Sequence, residues 1–226
     1  MEVANKADVT LVVSDVEKRI LEEISPRLRV ELVSLIHDLC PSNAPFAQRN
    51  GIMFIGGYAH PPNVDAVQYF VSEIYPIICK SLGKVNVYIV GSNPPPELYA
   101  LSSETIIVTG YVPDASSFLN RCRLSFVPLR YGAGVKGKIN LSMSHGLPVV
   151  ASTVAVEGMH LSDRVDVLIA DDPESFAEAI VRLYQDEILW NKLSTNGLLN
   201  VETYFSVRAA RMPLRRLLEL RNYSGH

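Results

Sequence analysis

Apolar residues along the chain fall into short runs that are separated by longer amphipathic stretches. Most of these runs do not alternate and are rich in valine and isoleucine, which is typical of strands buried on both faces of a parallel sheet. The predicted strands are Val9–Val13, Leu28–Leu35, Ile52–Ile55, Val85–Val90, Thr105–Val108, Leu124–Val127, Leu147–Ala151 and Val167–Ala170. Because helical stretches lie between them, we expect an α/β fold with a Rossmann-like, doubly wound parallel sheet.

The amphipathic stretches predict helices with recognisable ends. One helix is predicted over residues 63–82, with Asn63 as its N-cap and one apolar stripe along its length. Asp172 is expected to cap another helix that has Pro173 at its first position. The C-terminal part is predicted to be helical, and Pro213 is expected to kink or split the last helix.

A polar stretch with prolines, Cys40–Gly51, predicts a boundary between two parts of the chain. The strand–helix–strand unit before it is too small to form a core of its own. Residues 1–45 are therefore interpreted either as a segment packed on the main domain or as the tail of an N-terminal domain that is mostly missing. We assign residues 46–205 to the main domain and residues 206–226 to a C-terminal helix.

Composition narrows the possible partners and the compartment. The net charge of −3 gives no basic excess, so nucleic acid is not an expected partner. No apolar run approaches the ~20 residues that span a bilayer, so we predict no transmembrane segment. Cys40, Cys79 and Cys122 lie far apart, which suits neither a zinc site nor a disulfide framework. Reduced thiols and a cytoplasmic location are expected.

The loop after the sixth apolar run carries the most distinctive chemistry. Gly132, Gly134 and Gly137 have the spacing Gly-x-Gly-x-x-Gly, and Lys136 and Lys138 lie among them. Glycines let the backbone approach an anion, the N-terminus of the following helix points N–H groups at it, and the lysines add full charges. The pattern predicts a phosphate site, and the alternative is a surface loop with solvated lysines.

Dinucleotide binding is disfavoured by the position of this loop. In dinucleotide-binding folds the glycine pattern occupies the first strand–helix turn, and an acidic residue ends the next strand. Here the pattern follows about the fourth strand of the main sheet. Glu157 lies twenty residues beyond Gly137, but past the expected strand end at Ala151. Another phosphate-containing ligand is therefore expected.

Several sequence blocks occur in an order typical of one enzyme family. They are FIGGYAHPPNVDA (54–66), VYIVGSNPP (87–95), VTGYVPD (108–114), PLRYGAGVKGK (128–138), HGLPVVAS (145–152), VEGMHL (156–161) and DDPESFAEAIVRLYQD (171–186). With them the chain resembles the C-terminal, donor-binding half of retaining GT-B glycosyltransferases of the group 1 type. Residues 7–21 resemble the last strand–helix unit of the N-terminal, acceptor-binding domain of such enzymes. The resemblance implies that the rest of that domain belongs to a longer parent protein.

The resemblance implies a function and a set of partners. The donor is a nucleotide sugar, bound as a substrate, and no cofactor or metal is implied. The acceptor is a saccharide or a lipid-linked molecule, and transfer is expected to retain the anomeric configuration. Either Lys136 or Lys138 matches the residue that contacts the diphosphate. Glu157 is a candidate for holding a sugar hydroxyl, with helix capping as the alternative.

Other positions are expected to contact the donor. Gly56 and Gly57 form a flexible turn, and His60 is a candidate phosphate or sugar donor that could equally serve helix capping. Tyr111 and Asp114 resemble the residues that line the base, with core packing as the alternative for Tyr111. The remaining candidates are Asn63, Tyr131, Gly132, Gly134, Val135, Gly137 and Asn140.

The sequence also departs from the family pattern. The family commonly carries two glutamates eight positions apart, which fall near Ala133 and on Leu141 here, and a phosphate-binding arginine is absent near Gly57. The second glutamate normally accepts hydrogen bonds from ribose hydroxyls, and Asn140 is the candidate substitute. A non-catalytic, glycosyltransferase-like scaffold is therefore the alternative function. A sugar-nucleotide epimerase of the same fold class is a further, less favoured one.

Overall fold

The computed structural model describes residues 3–223, with the side chains of residues 3–219. Six parallel strands form the main sheet in the order β5-β4-β3-β6-β7-β8. They are β3 (Ile52–Ile55), β4 (Val87–Val90), β5 (Ile106–Gly110), β6 (Leu124–Val127), β7 (Val149–Ala151) and β8 (Leu168–Ile169). Two more strands, β1 (Thr10–Val12) and β2 (Val30–Leu32), pair in a separate parallel sheet. The predicted α/β class, the parallel sheet and the positions of all eight strands are confirmed.

Helices connect consecutive strands and cover both faces of the main sheet. They are α1 (Asp15–Ile24), α2 (Pro61–Tyr69), α3 (Tyr75–Leu82), α4 (Pro96–Tyr99), α5 (Ser116–Arg121), α6 (Gly137–Ser144), α7 (Thr153–Val156), α8 (Pro173–Gln185), α9 (Glu187–Tyr204) and α10 (Val207–Tyr223). Short 3₁₀ helices at Ala4–Lys6 and Phe46–Gln48 and a π-helical turn at Phe70–Ile74 complete the set. No helix within residues 3–223 is long and apolar enough to cross a bilayer.

The helix predicted over residues 63–82 is present but starts earlier and is capped differently. Pro61 and Pro62 occupy its first two positions, where the missing N–H groups are not needed, and His60 is the N-cap residue. Asn63 lies inside the first turn, so the prediction that it caps this helix is wrong. Its carboxamide instead donates to the carbonyl oxygen of Gly57, at 2.7 Å.

The other predicted helix ends differ in outcome. Asp172 caps α8 by accepting a hydrogen bond from the backbone N–H of Ser175 at 2.9 Å, and Pro173 is the first residue of the helix, both as predicted. Helix α10 continues through Pro213 as one element, so Pro213 does not split it, and a kink there stays a prediction.

Apolar side chains fill both sides of the main sheet. On one side Ile52 and Phe54 of β3 join a large core in which the rings of Phe70 and Phe126 stack at 3.7 Å. On the other side Met53 joins a smaller cluster. Successive residues of a strand point to opposite faces, so a strand covered on both faces needs an unbroken apolar run. Burial on both faces therefore explains why the predicted strands were easy to recognise.

The strand order places a crevice at one end of the sheet. The chain moves outward through β3, β4 and β5, then returns to the other side of β3 and moves outward through β6, β7 and β8. The loops after β3 and β6 therefore leave the sheet in opposite directions, and ligands of open α/β sheets bind in the crevice between such loops. The loop before α2 and the glycine–lysine loop before α6 are the two loops at this crevice.

The N-terminal strand–helix–strand unit and the segment after it lie against the main domain. The backbone N–H of His37 donates to the carbonyl oxygen of Phe205 at 2.7 Å, and that of Cys40 donates to Ser144 at 2.9 Å. Asp15 and His160 approach each other to 3.6 Å. Oε1 of Glu17, in α1, lies 3.5 Å from where a Cβ atom on Gly134 would be, so the unit also borders the glycine–lysine loop. The proposed boundaries of the three parts stay predictions.

Gly91 is expected to be essential for the close approach of β4 to the loop after β3. Its φ is 143°, and a Cβ atom added there would lie 1.7 Å from the carbonyl oxygen of Gly56. We expect Gly91→Ala to lower the free energy of unfolding by more than about 3 kcal/mol, because backbone must move. The control is Gly83→Ala, which is also left-handed but has open space around it, and should cost about 1–2 kcal/mol. Equal losses in urea unfolding would contradict this prediction.

Candidate functional site

The two loops at the crevice touch each other. A Cβ atom added to Gly132, in the loop after β6, would lie 3.6 Å from the side chain of Pro62 at the start of α2. Gly132 has a φ of 122°, a conformation that side-chain-bearing residues rarely adopt. Gly132 therefore allows the close approach and the sharp path of this loop, while the predicted approach of its backbone to a phosphate stays a prediction.

Lys138 joins the two loops through a side-chain hydrogen bond. Its Nζ donates to Oδ1 of Asn63 at 2.6 Å and lies 5.2 Å from the centroid of the Phe54 ring. Asn63 in turn donates through Nδ2 to the carbonyl oxygen of Gly57 at 2.7 Å. Burial, and secondly the charge of Lys136, lower the pKa of Lys138 to about 8. The crevice thus holds a partly buried cation that an anionic ligand would stabilise.

Lys136 makes a different set of contacts, all of them near its own loop. Its Nζ donates to the carbonyl oxygens of Gly132 at 3.1 Å and of Gly134 at 2.5 Å. Its backbone N–H faces Sδ of Met159 at 3.2 Å. Burial lowers the pKa of Lys136, and the charge of Glu157 acts in the opposite direction. In this arrangement Lys136 stabilises the fold of the glycine loop.

Helix α6 adds a polar contribution at the same place. It begins at Gly137, directly after the loop, and Lys136 is its N-cap residue without a side-chain capping bond. The first backbone N–H groups of a helix have no partner within the helix, and they attract anions. The two lysines and this helix end together make the crevice electropositive, which suits a phosphate group.

The other predicted donor-site residues border the crevice without a side-chain bond to this pair of lysines. His60 is exposed at the start of α2 and makes no capping bond. Tyr131 is 49% exposed, whereas Val135 is half-buried against the main core. Glu157 is exposed directly after α7, and its charge acts on Lys136. Gly56 lies beside Asn63, and their roles toward a donor stay predictions.

The residues predicted to line the base follow β5, two strands away from β3. Tyr111 is 72% exposed, so the alternative that it packs in the core is wrong. Asp114 accepts a hydrogen bond from the backbone N–H of Ser116 at 2.8 Å. Hydrogen bonding by the Ser116 side chain, and secondly by its backbone, lowers the pKa of the Asp114 carboxyl. A stacking role for Tyr111 stays a prediction.

The position expected to hold the ribose is apolar in this structure. Leu141 packs on the smaller core cluster, together with Ile55 and Val112. Asn140, the candidate substitute, is fully buried, and neither atom of its carboxamide has a hydrogen-bond partner among the described residues. Its contact with a ribose stays a prediction, and that contact would require the side chain to become accessible.

One residue at the crevice was not predicted. Oε1 of Glu17 lies 3.5 Å from where a Cβ atom on Gly134 would be, and its charge acts on Lys136. Ser14 accepts from the backbone N–H of Glu17 at 3.2 Å, and Glu17 accepts from the N–H of Val13 at 3.1 Å. The spacing Ser-x-x-Glu signals this type of helix cap. Sequence alone could find the cap but not its position beside the glycine loop.

Comparisons with solved structures agree with the fold. The S. aureus TarM mutant solved with fondaparinux, alpha-GlcNAc-glycerol and UDP has a TM-score of 0.79 at 16% identity, over 97% of this chain and 45% of that chain. Sucrose-phosphate synthase from Thermosynechococcus elongatus has a TM-score of 0.78 at 19% identity, and the match covers 99% of this chain and 61% of that chain. The C-terminal domain of LpcC, a glycosyl transferase group 1 family protein from Francisella tularensis, has a TM-score of 0.58 at 15% identity. The match covers 75% of this chain and 96% of that chain. The chain thus has the fold of one half of a GT-B protein and spans 45% and 61% of the first two chains.

The sequence comparisons define the family. No curated protein sequence matches the chain significantly. A sequence profile of the family described as glycosyl transferases group 1 matches residues 49–186, which is more than half of the chain and includes both crevice loops. The chain therefore belongs to the glycosyl transferases group 1 family.

Proposed function

We propose that the chain binds the diphosphate of a nucleotide sugar at the switch point of its sheet and acts as the donor-binding half of a glycosyltransferase. The observation that supports this most directly is the Lys138 ammonium group, which donates to Asn63 between the two crevice loops and forms no ion pair with a carboxylate within residues 3–219. A partly buried cation without a counter-ion favours an anionic ligand. Membership of the family supports a nucleotide sugar as that ligand.

The proposed reaction places the negative charge beside the lysines. The bond between the anomeric carbon and the diphosphate oxygen breaks, and its electron pair stays on the diphosphate. The acceptor hydroxyl oxygen bonds to the anomeric carbon on the same face of the sugar, and its proton passes to the leaving phosphate oxygen. A fixed cation and helix N–H groups stabilise the leaving group more in the transition state than in the donor. In this proposal the lysines of the protein, without a metal ion, stabilise the leaving diphosphate.

The two lysines are assigned different parts of this task. The ammonium group of Lys136 donates two hydrogen bonds, to the carbonyl oxygens of Gly132 and Gly134. The ammonium group of Lys138 donates one, to Oδ1 of Asn63. An ammonium group has three hydrogens, so Lys138 keeps two for a ligand. We therefore assign phosphate contact to Lys138 and support of the loop to Lys136.

The acceptor is proposed to bind to a second half that longer relatives possess. The chain spans 45% of the TarM chain and 61% of the sucrose-phosphate synthase chain. Leu11, Ile20 and Ile24 of the N-terminal unit are about half exposed or more, which suits a surface that another domain covers. We propose that an N-terminal acceptor domain of a longer parent protein packs there and binds a saccharide or lipid-linked acceptor.

A non-catalytic role is the second candidate, and one observation favours it. Leu141 packs in an apolar cluster where a carboxylate would accept hydrogen bonds from ribose. Losing a charged acceptor costs about 1.5–3 kcal/mol, or roughly 10- to 150-fold in affinity. Transfer from a nucleotide sugar by the parent protein would exclude this scaffold role, and analysis of products would separate transfer from epimerisation.

Nucleoside diphosphate binding is the first test. Calorimetric titration with UDP, GDP and dTDP should give millimolar or tighter binding of at least one, and UDP is the first choice because the TarM structure contains it. Lys138→Ala should weaken binding about 10- to 150-fold, and Lys136→Ala less. The control is Lys80→Ala, an exposed lysine at the end of α3. Absence of binding by the wild type would overturn the proposed function.

Binding should also depend on pH through Lys138. Only the protonated amine attracts phosphate strongly, and the pKa of the free site is about 8. The association constant should be constant between pH 7 and 7.5 and fall up to about tenfold per pH unit above 8. Titrations from pH 7 to 10 would measure this fall, and it should disappear in Lys138→Ala. If the association constant of Lys138→Ala falls equally above pH 8, a group other than Lys138 causes the pH dependence.

We expect the charged form of Lys138 to lower the free energy of unfolding, because its ammonium group is partly buried. Its pKa is about 8 in the fold against an ordinary 10.5, so the unfolded chain binds more protons between these values. Lys138→Met should therefore raise the free energy of unfolding by about 1–2 kcal/mol at pH 7. The difference should shrink as pH rises from 8 to 10.5, where the wild type gains stability. Urea unfolding at several pH values would measure it, and a variant less stable at every pH would refute it.

A further inference from the structure

Asn63 is placed where the two crevice loops are joined, and both ends of its carboxamide are used. It is 4% exposed. Its Oδ1 accepts from Lys138 at 2.6 Å, and its Nδ2 donates to the carbonyl oxygen of Gly57 at 2.7 Å. These two bonds fix the orientation of the amide, because the flipped amide would place its NH₂ group against the ammonium group.

We propose that Asn63 is the positioning residue of the phosphate site, which holds the Lys138 ammonium group at a fixed place between the two loops. The inference rests on the proposed function for its ligand, a nucleoside diphosphate. Asn63 affects the ligand only through Lys138. Its hydrogen bond keeps the lysine side chain from adopting other rotamers that would point the ammonium group into solvent. Because the lysine is already ordered, a diphosphate does not have to immobilise it on binding.

The chemistry of an amide suits this task better than that of a carboxylate. An amide oxygen accepts a hydrogen bond from the ammonium group but carries no full charge. Lys138 therefore stays an uncompensated cation, and no carboxylate within residues 3–219 forms an ion pair with it. An aspartate at position 63 would pair with the lysine and repel a phosphate. Asparagine thus fixes the direction of the cation while leaving its charge for the ligand.

The surroundings make this placement specific. A Cβ atom added to Gly56 would lie 2.9 Å from Nδ2 of Asn63, so a glycine is required there to accommodate the amide. The ring of Phe54, at the end of β3, supports the ammonium group from its other side at 5.2 Å. Gly56, Asn63 and Phe54 thus define one position for a lysine that comes from a different part of the chain.

A double-mutant cycle tests whether Asn63 acts through Lys138. UDP is titrated into the wild type, Asn63→Ala, Lys138→Ala and the double variant. We expect Asn63→Ala to weaken binding about tenfold in the wild type and less than about twofold when Lys138 is already alanine. Equal losses in both backgrounds would show that Asn63 acts on the fold or on the ligand directly, and would overturn the inference. Asn196→Ala is the matched control, since Asn196 donates a similar bond to the Val165 carbonyl at 2.7 Å.

A measurement without nucleotide separates this inference from the proposed function. The reactivity of the Lys138 amine toward an acylating reagent is followed against pH by mass spectrometry. Asn63→Asp should raise the titration midpoint of Lys138 by at least one pH unit, and Asn63→Leu should lower it, while Asn196→Ala leaves it unchanged. An unchanged midpoint in both variants would overturn the positioning role. If wild type binds no nucleoside diphosphate but these midpoints shift, the ligand assignment fails and the positioning role stands.

Discussion

The position of the half-buried ammonium group of Lys138 depends on residues that are distant in sequence and close in space. It lies at the start of α6 and bonds to Asn63, which is 75 residues earlier, at the start of α2. These helices follow β3 and β6, which are neighbours only because the chain reverses the direction in which it adds strands. The rigid parallel sheet holds both helix starts, so the geometry of the cation is fixed before a ligand arrives. Burial also lowers the pKa of Lys138, so we expect the protonated lysine to be unfavourable for the stability of the fold.

The sequence predicted the strands well because their signal is local. A strand such as β3 is buried on both faces, so its apolar run is visible without knowledge of its neighbours. The glycine–lysine loop was recognised for the same reason. The Lys138–Asn63 bond was not predicted, because it depends on which strands are adjacent in the sheet. Asn63 was interpreted as a helix cap, a role that the prolines before it already make unnecessary.

The position of Glu17 illustrates the same limit. Its capping bond to Ser14 has a sequence signature, since both residues lie in one helical turn. Its place next to Gly134 results from the packing of the N-terminal unit on the main domain, which no local pattern encodes. The consequence is chemical: a carboxylate from outside the main domain acts on Lys136 and opposes the effect of burial on its pKa. The N-terminal unit therefore contributes to the electrostatics of the crevice as well as to the fold.

The two ends of the crevice differ in polarity. Under the proposed function, this difference determines which parts of a nucleotide-sugar donor could be bound tightly. At the phosphate end, lysines and a helix N-terminus offer donors and charge. At the end expected to hold the ribose, Leu141 packs in an apolar cluster, and Tyr111 of the base-side loop is an exposed aromatic residue. Under the proposed function, most of the affinity for a nucleotide would come from the diphosphate, because little at this end can bind ribose hydroxyls. Such a site would discriminate weakly between ribose and deoxyribose nucleotides and strongly between a diphosphate and a monophosphate, because its positive charge lies at the phosphate end.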